Sequence, residues 1–200
     1  MPGRFFIDKE RAELLFSQLG EALQEGGSDP IDILVCGGMA LIMQDLVVRP
    51  TTDIDGIGCV VDEEGSLVLR SPDMQHAFRQ ARERVAAANE LGNRWINFQS
   101  RTLIDNGLPE GILERALKSQ YGPKLRIRLC SRVDIVALKM WAALDPKRDV
   151  DLKDLLSLKV KRDEAEFGAR YCLGNQAEKN QVAKVLEAIG HDEMARELLR

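Results

Sequence analysis

The sequence predicts an α+β fold, because strand-like segments dominate its middle and helix-like segments dominate its end. Apolar runs at 33–36 and 53–61 and an alternating run at 124–130 are typical of strands. Residues 131–200 have helical periodicity throughout. We therefore expect a small mixed sheet flanked by helices in residues 1–130, with the helical residues 131–200 packed on it.

The composition is that of an ordinary globular protein and excludes several classes. The chain has 200 residues, 44% hydrophobic and 30% charged, with a net charge of −4, so the chain as a whole is not a polycation for nucleic acid. No apolar run reaches the roughly 18 residues that span a bilayer, and the N-terminus lacks a signal-peptide core. We expect a cytoplasmic protein that does not enter a membrane. Its four cysteines, none in a Cys-x-x-Cys pair, are predicted to be reduced thiols: Cys36, Cys59, Cys130 and Cys172.

The first helix is predicted over 8–25, where leucines recur near helical spacing and a glycine pair follows. A strand at Ile33–Cys36 comes next, then Gly37 and Gly38, then an apolar segment of helical length. This order predicts a strand, a tight turn and a helix. Glycine lets a backbone come close to phosphate oxygens, and the N–H groups at the start of a helix favour anions. A common tight turn is the simpler interpretation of the glycine pair.

Two carboxylates open the next predicted strand. Asp53 and Asp55 are two residues apart, so in a strand they point to the same face. Carboxylates this close repel each other unless a cation lies between them, and Mg²⁺ often takes one or two carboxylates together with nucleotide phosphates. Arg49 and Thr52, just upstream, add a cation and a hydroxyl that suit a nucleotide. Two surface charges are the simpler interpretation of the acidic pair.

The middle of the chain is predicted in less detail. The second strand ends at the polar segment 62–65, and Ser71-Pro72 is a good start for a helix that runs to Gly92. The segment GILERALKS, 111–119, reads as a short helix. The strand at 124–130 has a basic face that suits RNA phosphates or a triphosphate, with a solvent-exposed strand face as the alternative: Lys124, Arg126 and Arg128.

The last third is predicted to be helical. Ser131 caps an apolar helix that runs to Leu144 and contains Lys139, and Asp149 caps the next one. Two or three short amphipathic helices follow, divided near Gly174-Asn175 and Gly190.

The order VCGGMAL and then RPTTDID resembles the nucleotidyltransferase superfamily with the DNA polymerase β-like fold. It is most similar to bacterial AbiE-type toxin nucleotidyltransferases and their uncharacterised relatives. A second segment, VDIVALKMWAALDPKRDVDLKDLLSL, is similar to a helical lysine followed by a basic, Asp-x-x-Asp-Leu run in those relatives. These positions are Lys139, Arg148, Asp151, Asp154 and Leu155.

This resemblance implies a role for each matching residue. Gly37 and Gly38 would form the phosphate-binding turn, Asp53 and Asp55 would hold Mg²⁺ (or Mn²⁺), and Lys139 would reach the triphosphate. Asp151 would support the site from the next helix. The alternatives are a snorkelling side chain for Lys139 and an acid favoured by the helix dipole for Asp151.

Three positions depart from the pattern of the superfamily. Met39 stands where many members have a serine or threonine after the glycines. The later strand at 124–130 lacks the third carboxylate, so either Asp134 or Asp151 substitutes or the acid is missing. Finally, Gly56 and Gly58 interrupt the second strand, which predicts a bulge or a close backbone approach.

The resemblance implies an enzyme that moves a nucleoside monophosphate from an NTP to a tRNA or protein acceptor. It could be the toxin of a toxin–antitoxin or phage-defence system, with a cognate antitoxin as partner. An alternative is a weakly active or inactive subunit that binds nucleotide with the same fold. A third interpretation is an α+β domain in which Asp53 and Asp55 are surface charges only.

Overall fold

The structure, a computed structural model, describes residues 6–70 and 76–200 and is an α+β fold, as predicted. The chain divides into two compact units, Met1–Cys130 and Ser131–Arg200. The predicted helix start at Ser71-Pro72 lies outside the described residues.

The first unit alternates short helices and strands. A 3-10 helix also occurs, at Gln99–Arg101. The helices are α1 Lys9–Glu25, α2 Gly37–Met43, α3 His76–Ala88, α4 Thr102–Asn106 and α5 Ile112–Arg115, and the strands are β1 Ile31–Cys36, β2 Ile54–Glu63, β3 Ser66–Arg70, β4 Ile96–Asn97, β5 Leu117–Tyr121 and β6 Leu125–Leu129.

Six strands form one mixed sheet in the described part of this unit. Their order is β3-β2-β1-β6-β5, and the short β4 pairs with the first two residues of β2. The central β1 is antiparallel to β2 and parallel to β6, which makes the sheet mixed. The predicted small mixed sheet is therefore confirmed, and the strand that leads into the glycine pair lies at its centre.

Helix α1 buries one face, as predicted. Leu15, Leu19 and Leu23 are fully buried, whereas Leu14 is 52% exposed and Phe16 is buried instead. Gly20 is required here, since a Cβ atom added to it would lie 2.1 Å from the carbonyl oxygen of Tyr121. The missing side chain lets α1 approach the turn end of β5.

The glycines of β2 mark both features that the sequence predicted. The pairing between β1 and β2 shifts register opposite Gly56 and Gly58, so that Ile57 is the extra residue of a bulge. A Cβ atom at Gly56 would lie 2.5 Å from the ring of Phe98, and one at Gly58 would lie 2.5 Å from the carbonyl oxygen of Arg70. The bulge redirects β2 just after its acidic start.

The second unit is helical in its described residues, as predicted. Ser131 is the N-cap of α6 and accepts a hydrogen bond from the backbone N–H of Asp134. The cap predicted at Asp149 is wrong by one residue, because Arg148 is the N-cap and Asp149 opens the helix. The helices are α6 Arg132–Ala142, α7 Asp149–Leu158, α8 Arg162–Gly174, α9 Lys179–Ala188 and α10 Asp192–Leu198.

Among the described helices, none combines the length and the apolar character that a bilayer crossing requires.

Candidate functional site

The structure brings the glycine pair together with Asp55 and Arg49 in the first unit. We call this group the glycine-turn site and define it by Gly37, Gly38, Arg49, Asp53 and Asp55. Its elements meet because β1 and β2 are neighbours in the sheet. Cys36, the last residue of β1, is the register partner of Asp55, so the chain enters the glycine turn directly beside this acid.

The two acids flank a buried residue. Asp53 and Asp55 are half-buried, whereas Ile54 between them is fully buried. The sequence predicted that both acids open the strand, but β2 begins at Ile54, so Asp53 precedes it and Asp55 is its second residue. Thr52 is exposed, and its hydroxyl lies 3.4 Å from Oδ1 of Asp53.

Gly37 touches the carboxylate of Asp55. Its φ angle is +66°, a conformation that side chains rarely adopt. A Cβ atom added here would lie 3.1 Å from Oδ2 of Asp55. Glycine at this position therefore satisfies two demands, the backbone turn and the close approach of the acid.

Gly38 lies under Arg49. A Cβ atom on Gly38 would lie 3.1 Å from Nη2 and 3.4 Å from Nη1 of Arg49, and 3.5 Å from the hydroxyl oxygen of Thr51. One nitrogen of this guanidinium, Nη1, lies 3.4 Å from the carbonyl oxygen of Pro50. In the first turn of α2, the carboxylate of Asp55 thus lies beside Gly37 and the guanidinium of Arg49 lies beside Gly38.

The loop that carries Arg49 is held by the start of the chain. Ile7 and Thr51 exchange two backbone hydrogen bonds of 2.7 and 2.9 Å, and Ile7 is fully buried. Lys9 forms an ion pair with Asp45 at the other end of the loop. These contacts fix where Arg49 and the acidic pair emerge.

Asn97 is a member of the site that the sequence analysis missed. It is the register partner of Asp55 in β4 and is 5% exposed. Its Nδ2 donates to Oδ2 of Asp53 at 3.3 Å, while its Oδ1 accepts from the backbone N–H of Gln99 at 2.9 Å. A polar residue inside the apolar segment 95–98 was the available signal.

The donor set fits a cation that arrives with phosphates. In residues 6–70 and 76–200, no group of three or more His, Cys, Asp or Glu side chains could hold a metal ion. Asp53 and Asp55 supply two hard oxygen ligands, and Mg²⁺ is commonly bound by one or two carboxylates plus substrate phosphates.

Met39 offers no contact to a ligand at the turn. It is only 1% exposed and belongs to the core. The position that carries a hydroxyl in many members of the resembled superfamily is thus used here for packing.

A second polar cluster lies in the second unit. Nζ of Lys139 lies 2.8 Å from Oδ1 of Asp151 and 2.7 Å from Oδ2 of Asp154. Nε of Arg148 donates to the other oxygen of Asp151 at 2.7 Å. We call these four residues the lysine cluster.

The lysine cluster is almost entirely buried. The side chains of Lys139, Asp151 and Asp154 are 7%, 7% and 5% exposed, and only Arg148, at 55%, reaches solvent. The snorkelling alternative for Lys139 is therefore wrong, because the ammonium lies among carboxylates rather than in water. The cluster contains two positive and two negative side chains, so its formal charges balance.

Asp134, which the sequence analysis considered as a substitute for the third carboxylate, is fully buried at the start of α6.

The basic strand face is only partly buried, because Arg126 keeps 49% of its side chain exposed. Arg128 is 2% exposed and contacts Asp32 of β1 through Nε and Nη2 at 2.8 to 3.0 Å. Arg126 adds a longer contact of 3.4 Å to the same carboxylate.

Burial, with Asp32 nearby, raises the pKa of the Cys59 thiol to about 11, so this cysteine is a thiol at neutral pH. None of the four cysteines, all of which lie in the described residues, forms a disulfide, and the three other than Cys59 are buried.

Comparisons of the chain with models of protein families, with curated proteins and with solved structures found no match.

Proposed function

We propose that this protein is a magnesium-dependent nucleotidyltransferase, with Mn²⁺ as an alternative cation, that moves a nucleoside monophosphate from an NTP to an acceptor. One observation carries the proposal. The carboxylate of Asp55 and the guanidinium of Arg49 converge on consecutive glycines, Gly37 and Gly38. Phosphoryl transfer requires a turn that exposes backbone N–H groups, a carboxylate that holds the divalent cation and a positive side chain that contacts the phosphates.

Each residue has a role in this proposal. Gly37 and Gly38 leave room for the Asp55 carboxylate and the Arg49 guanidinium beside the turn, where the phosphates would bind. Asp53 and Asp55 would hold the cation, which supplies charge neutralisation on the phosphates when bound. Arg49 offsets negative charge that develops on the leaving pyrophosphate, and Thr52 provides a hydroxyl beside Asp53.

The reaction forms one bond and breaks one. The acceptor hydroxyl oxygen attacks the α-phosphorus and gives its proton to water, and the bond from that phosphorus to the bridging oxygen breaks to release pyrophosphate. The resemblance implies that Lys139 reaches the triphosphate and that Asp151 supports the site. Their mutual ion pair favours a structural function, since Lys139 would have to leave two carboxylates to reach a phosphate.

We propose that the acceptor is a hydroxyl group of a tRNA or of a protein, and that the reaction takes place in the cytoplasm. We also propose that the protein is a toxin with a cognate antitoxin. The contacts of Arg126 and Arg128 with Asp32 weaken the tRNA alternative only in part. Arg128 is buried against Asp32 and is thereby withdrawn from phosphates, whereas Arg126 stays 49% exposed, and one carboxylate offsets only one of the three positive charges of this face.

A binding module is the second candidate. Buried Met39 and the amide of Asn97, where a further acid would strengthen the site, favour nucleotide binding without turnover. In this case the protein would bind an NTP with Mg²⁺ and act as a subunit of a larger complex.

The deciding experiment is a label-transfer assay. The pure protein is incubated with each α-labelled NTP, Mg²⁺ and either total tRNA or a protein extract, alongside Asp53→Asn and Asp55→Asn. Asp29→Asn is the matched control, because Asp29 is exposed in the loop before β1. Transfer that both site variants lose and the control retains supports the enzyme.

Binding of NTP without transfer supports the module. If wild-type protein shows neither transfer nor magnesium-dependent binding of any NTP, the proposed function is wrong.

A further inference from the structure

Asn97 is fixed as a hydrogen-bond donor toward Asp53. The backbone N–H of Gln99 can only donate, so the Asn97 atom 2.9 Å from it must be the amide oxygen. The amide nitrogen then faces Oδ2 of Asp53 at 3.3 Å. An NH₂ group cannot ligate a cation, so Asn97 contacts the acidic pair without adding a ligand.

The position of Asn97 is set by two strands. It is the register partner of Asp55, and the backbone N–H of Ile54 donates to the carbonyl oxygen of Trp95 at 2.7 Å. Ile54 and Ile96 form the other register pair of β2 and β4, and both are fully buried. The backbone at position 97 therefore cannot move away from Asp55 without disturbing the sheet.

We propose that Asn97 is a positioning residue that holds Asp53 and keeps the site at two carboxylates, so that the divalent cation binds together with the nucleotide rather than ahead of it. This inference rests on the proposed function and names its substrate as the cation–NTP complex. Two carboxylates bind a free divalent cation weakly, and the phosphates of the nucleotide supply the missing ligands.

The replacement Asn97→Asp tests this inference directly. The new side chain has the same shape and keeps an oxygen for the N–H of Gln99, but its second oxygen faces Oδ2 of Asp53. Two carboxylates at this distance repel each other unless a cation binds between them. We expect Mn²⁺ alone, without nucleotide, to bind Asn97→Asp at least about tenfold more tightly than wild type, because a third carboxylate joins the ligand set.

Binding of Mn²⁺ is measured by electron paramagnetic resonance of the free ion, with and without a non-hydrolysable NTP analogue. Asn93→Asp is the matched control, since it adds the same charge four positions away at an exposed residue. It should leave Mn²⁺ affinity at the wild-type value. In wild type, the analogue should strengthen Mn²⁺ binding, whereas Asn97→Asp should depend on it less.

A charge-swap variant covers the case in which Asn97→Asp does not fold. Asp53→Asn should weaken Mn²⁺ binding in the presence of the analogue, and Asp53→Asn with Asn97→Asp should restore it by returning the second carboxylate to the site. Equal Mn²⁺ affinity of wild type and Asn97→Asp would overturn the inference, as would a swap variant no better than Asp53→Asn. If the analogue binds no variant, the proposed function fails, while the ranking with Mn²⁺ alone still decides the role of Asn97.

Discussion

At the scale of single residues, the two glycines of the pair are required for different reasons. Gly37 has a positive φ and touches Asp55, whereas Gly38 has ordinary helical geometry and touches the end of a flexible side chain, Arg49. An added methyl group therefore strains the backbone at the first position and displaces a functional group at the second.

The first prediction compares three alanine variants. Gly37→Ala should lose about 1–2 kcal/mol of unfolding free energy from its positive φ and should also impair nucleotide binding by pushing Asp55. Gly38→Ala should keep its stability but bind nucleotide about tenfold more weakly, because Arg49 must move. Urea unfolding and calorimetric NTP titration measure the two effects.

Gly27→Ala is the control for the backbone term. Gly27 has φ +65° and no atom within 4 Å of an added Cβ, so this variant should lose similar stability and bind nucleotide normally. Normal binding by Gly38→Ala would show that Arg49 does not contact the nucleotide.

The second prediction concerns the lysine cluster. Lys139→Met removes the buried ion-pair partner that Asp151 and Asp154 share, and should cost about 3–5 kcal/mol of unfolding free energy. Adding Asp154→Asn removes the excess negative charge and should recover at least half of that loss. Chemical denaturation of both variants measures this.

Recovery of stability in the double variant would mark the cluster as structural. If Lys139→Met is as stable as wild type but loses NTP binding, the role in triphosphate binding that the resemblance implies would hold instead.

At the scale of helices and strands, what the sequence predicts depends on where a strand lies in the sheet. The central strands β1, β2 and β6 were predicted because β1 and β2 have apolar runs and β6 alternates apolar and basic residues. The edge strands β3 and β5 were missed. Edge strands are often polar, and SLVLR and LKSQY show little apolar alternation. The predicted helix 111–119 is therefore wrong in its second half, which forms β5.

The same limit applies to the candidate site. Its members up to Asp55 were predictable because they lie within one short segment, whose strand–turn–helix–strand order brings them together locally. Asn97 comes more than forty positions later and reaches Asp53 only through the pairing of β4 with β2. No local pattern predicts that pairing. For the same reason the partner of Arg128, Asp32 on β1, was not apparent from the alternation of β6 alone.

The third prediction concerns the start of α8. Glu164 accepts a hydrogen bond from the backbone N–H of Lys161 and pairs with Arg132. Burial is the largest single effect and opposes ionisation of Glu164, but the hydrogen bonds from Arg132 and the Lys161 backbone, together with the attraction of both cations, outweigh it and lower the pKa of this carboxyl below its ordinary value. The folded-state pKa is then below the unfolded one. The carboxylate therefore contributes stability above about pH 4.3, the ordinary value for glutamate, and loses it as the pH falls through the folded-state pKa.

Glu164→Gln should accordingly cost about 1–2 kcal/mol of unfolding free energy at pH 7, since Gln retains an oxygen for the cap but not the charge. The difference from wild type should disappear toward pH 3, as measured by urea unfolding across the pH range. Glu166→Gln is the control, because the pair of Glu166 with Arg170 is exposed and contributes little. A pH-independent cost of Glu164→Gln would contradict the prediction.

At the scale of the whole molecule, the two polar clusters belong to different compact units. The glycine-turn site, with Asn97 and Thr51, lies within Met1–Cys130, and the lysine cluster lies within Ser131–Arg200. All the groups that the proposed function assigns to cation and glycine-turn contacts therefore come from the first unit. The resemblance adds Lys139 and Asp151 from the second.

The fourth prediction separates these contributions by expressing residues 1–130 and 131–200 as fragments, each checked for folding by circular dichroism. Fragment 1–130 should bind an NTP with Mg²⁺ within about threefold of the full chain, because its ligand groups are all present. Fragment 131–200 should be helical and bind no nucleotide, and Lys139→Met should unfold it, since a small helical unit has little stability to lose. The opposite result has two parts. Folded fragment 1–130 would bind nucleotide only after fragment 131–200 is added, and a helical Lys139→Met version of fragment 131–200 would fail to restore binding. Together these results would assign the lysine to the triphosphate site. A fragment 1–130 that binds alone would assign Lys139 to the stability of its own unit.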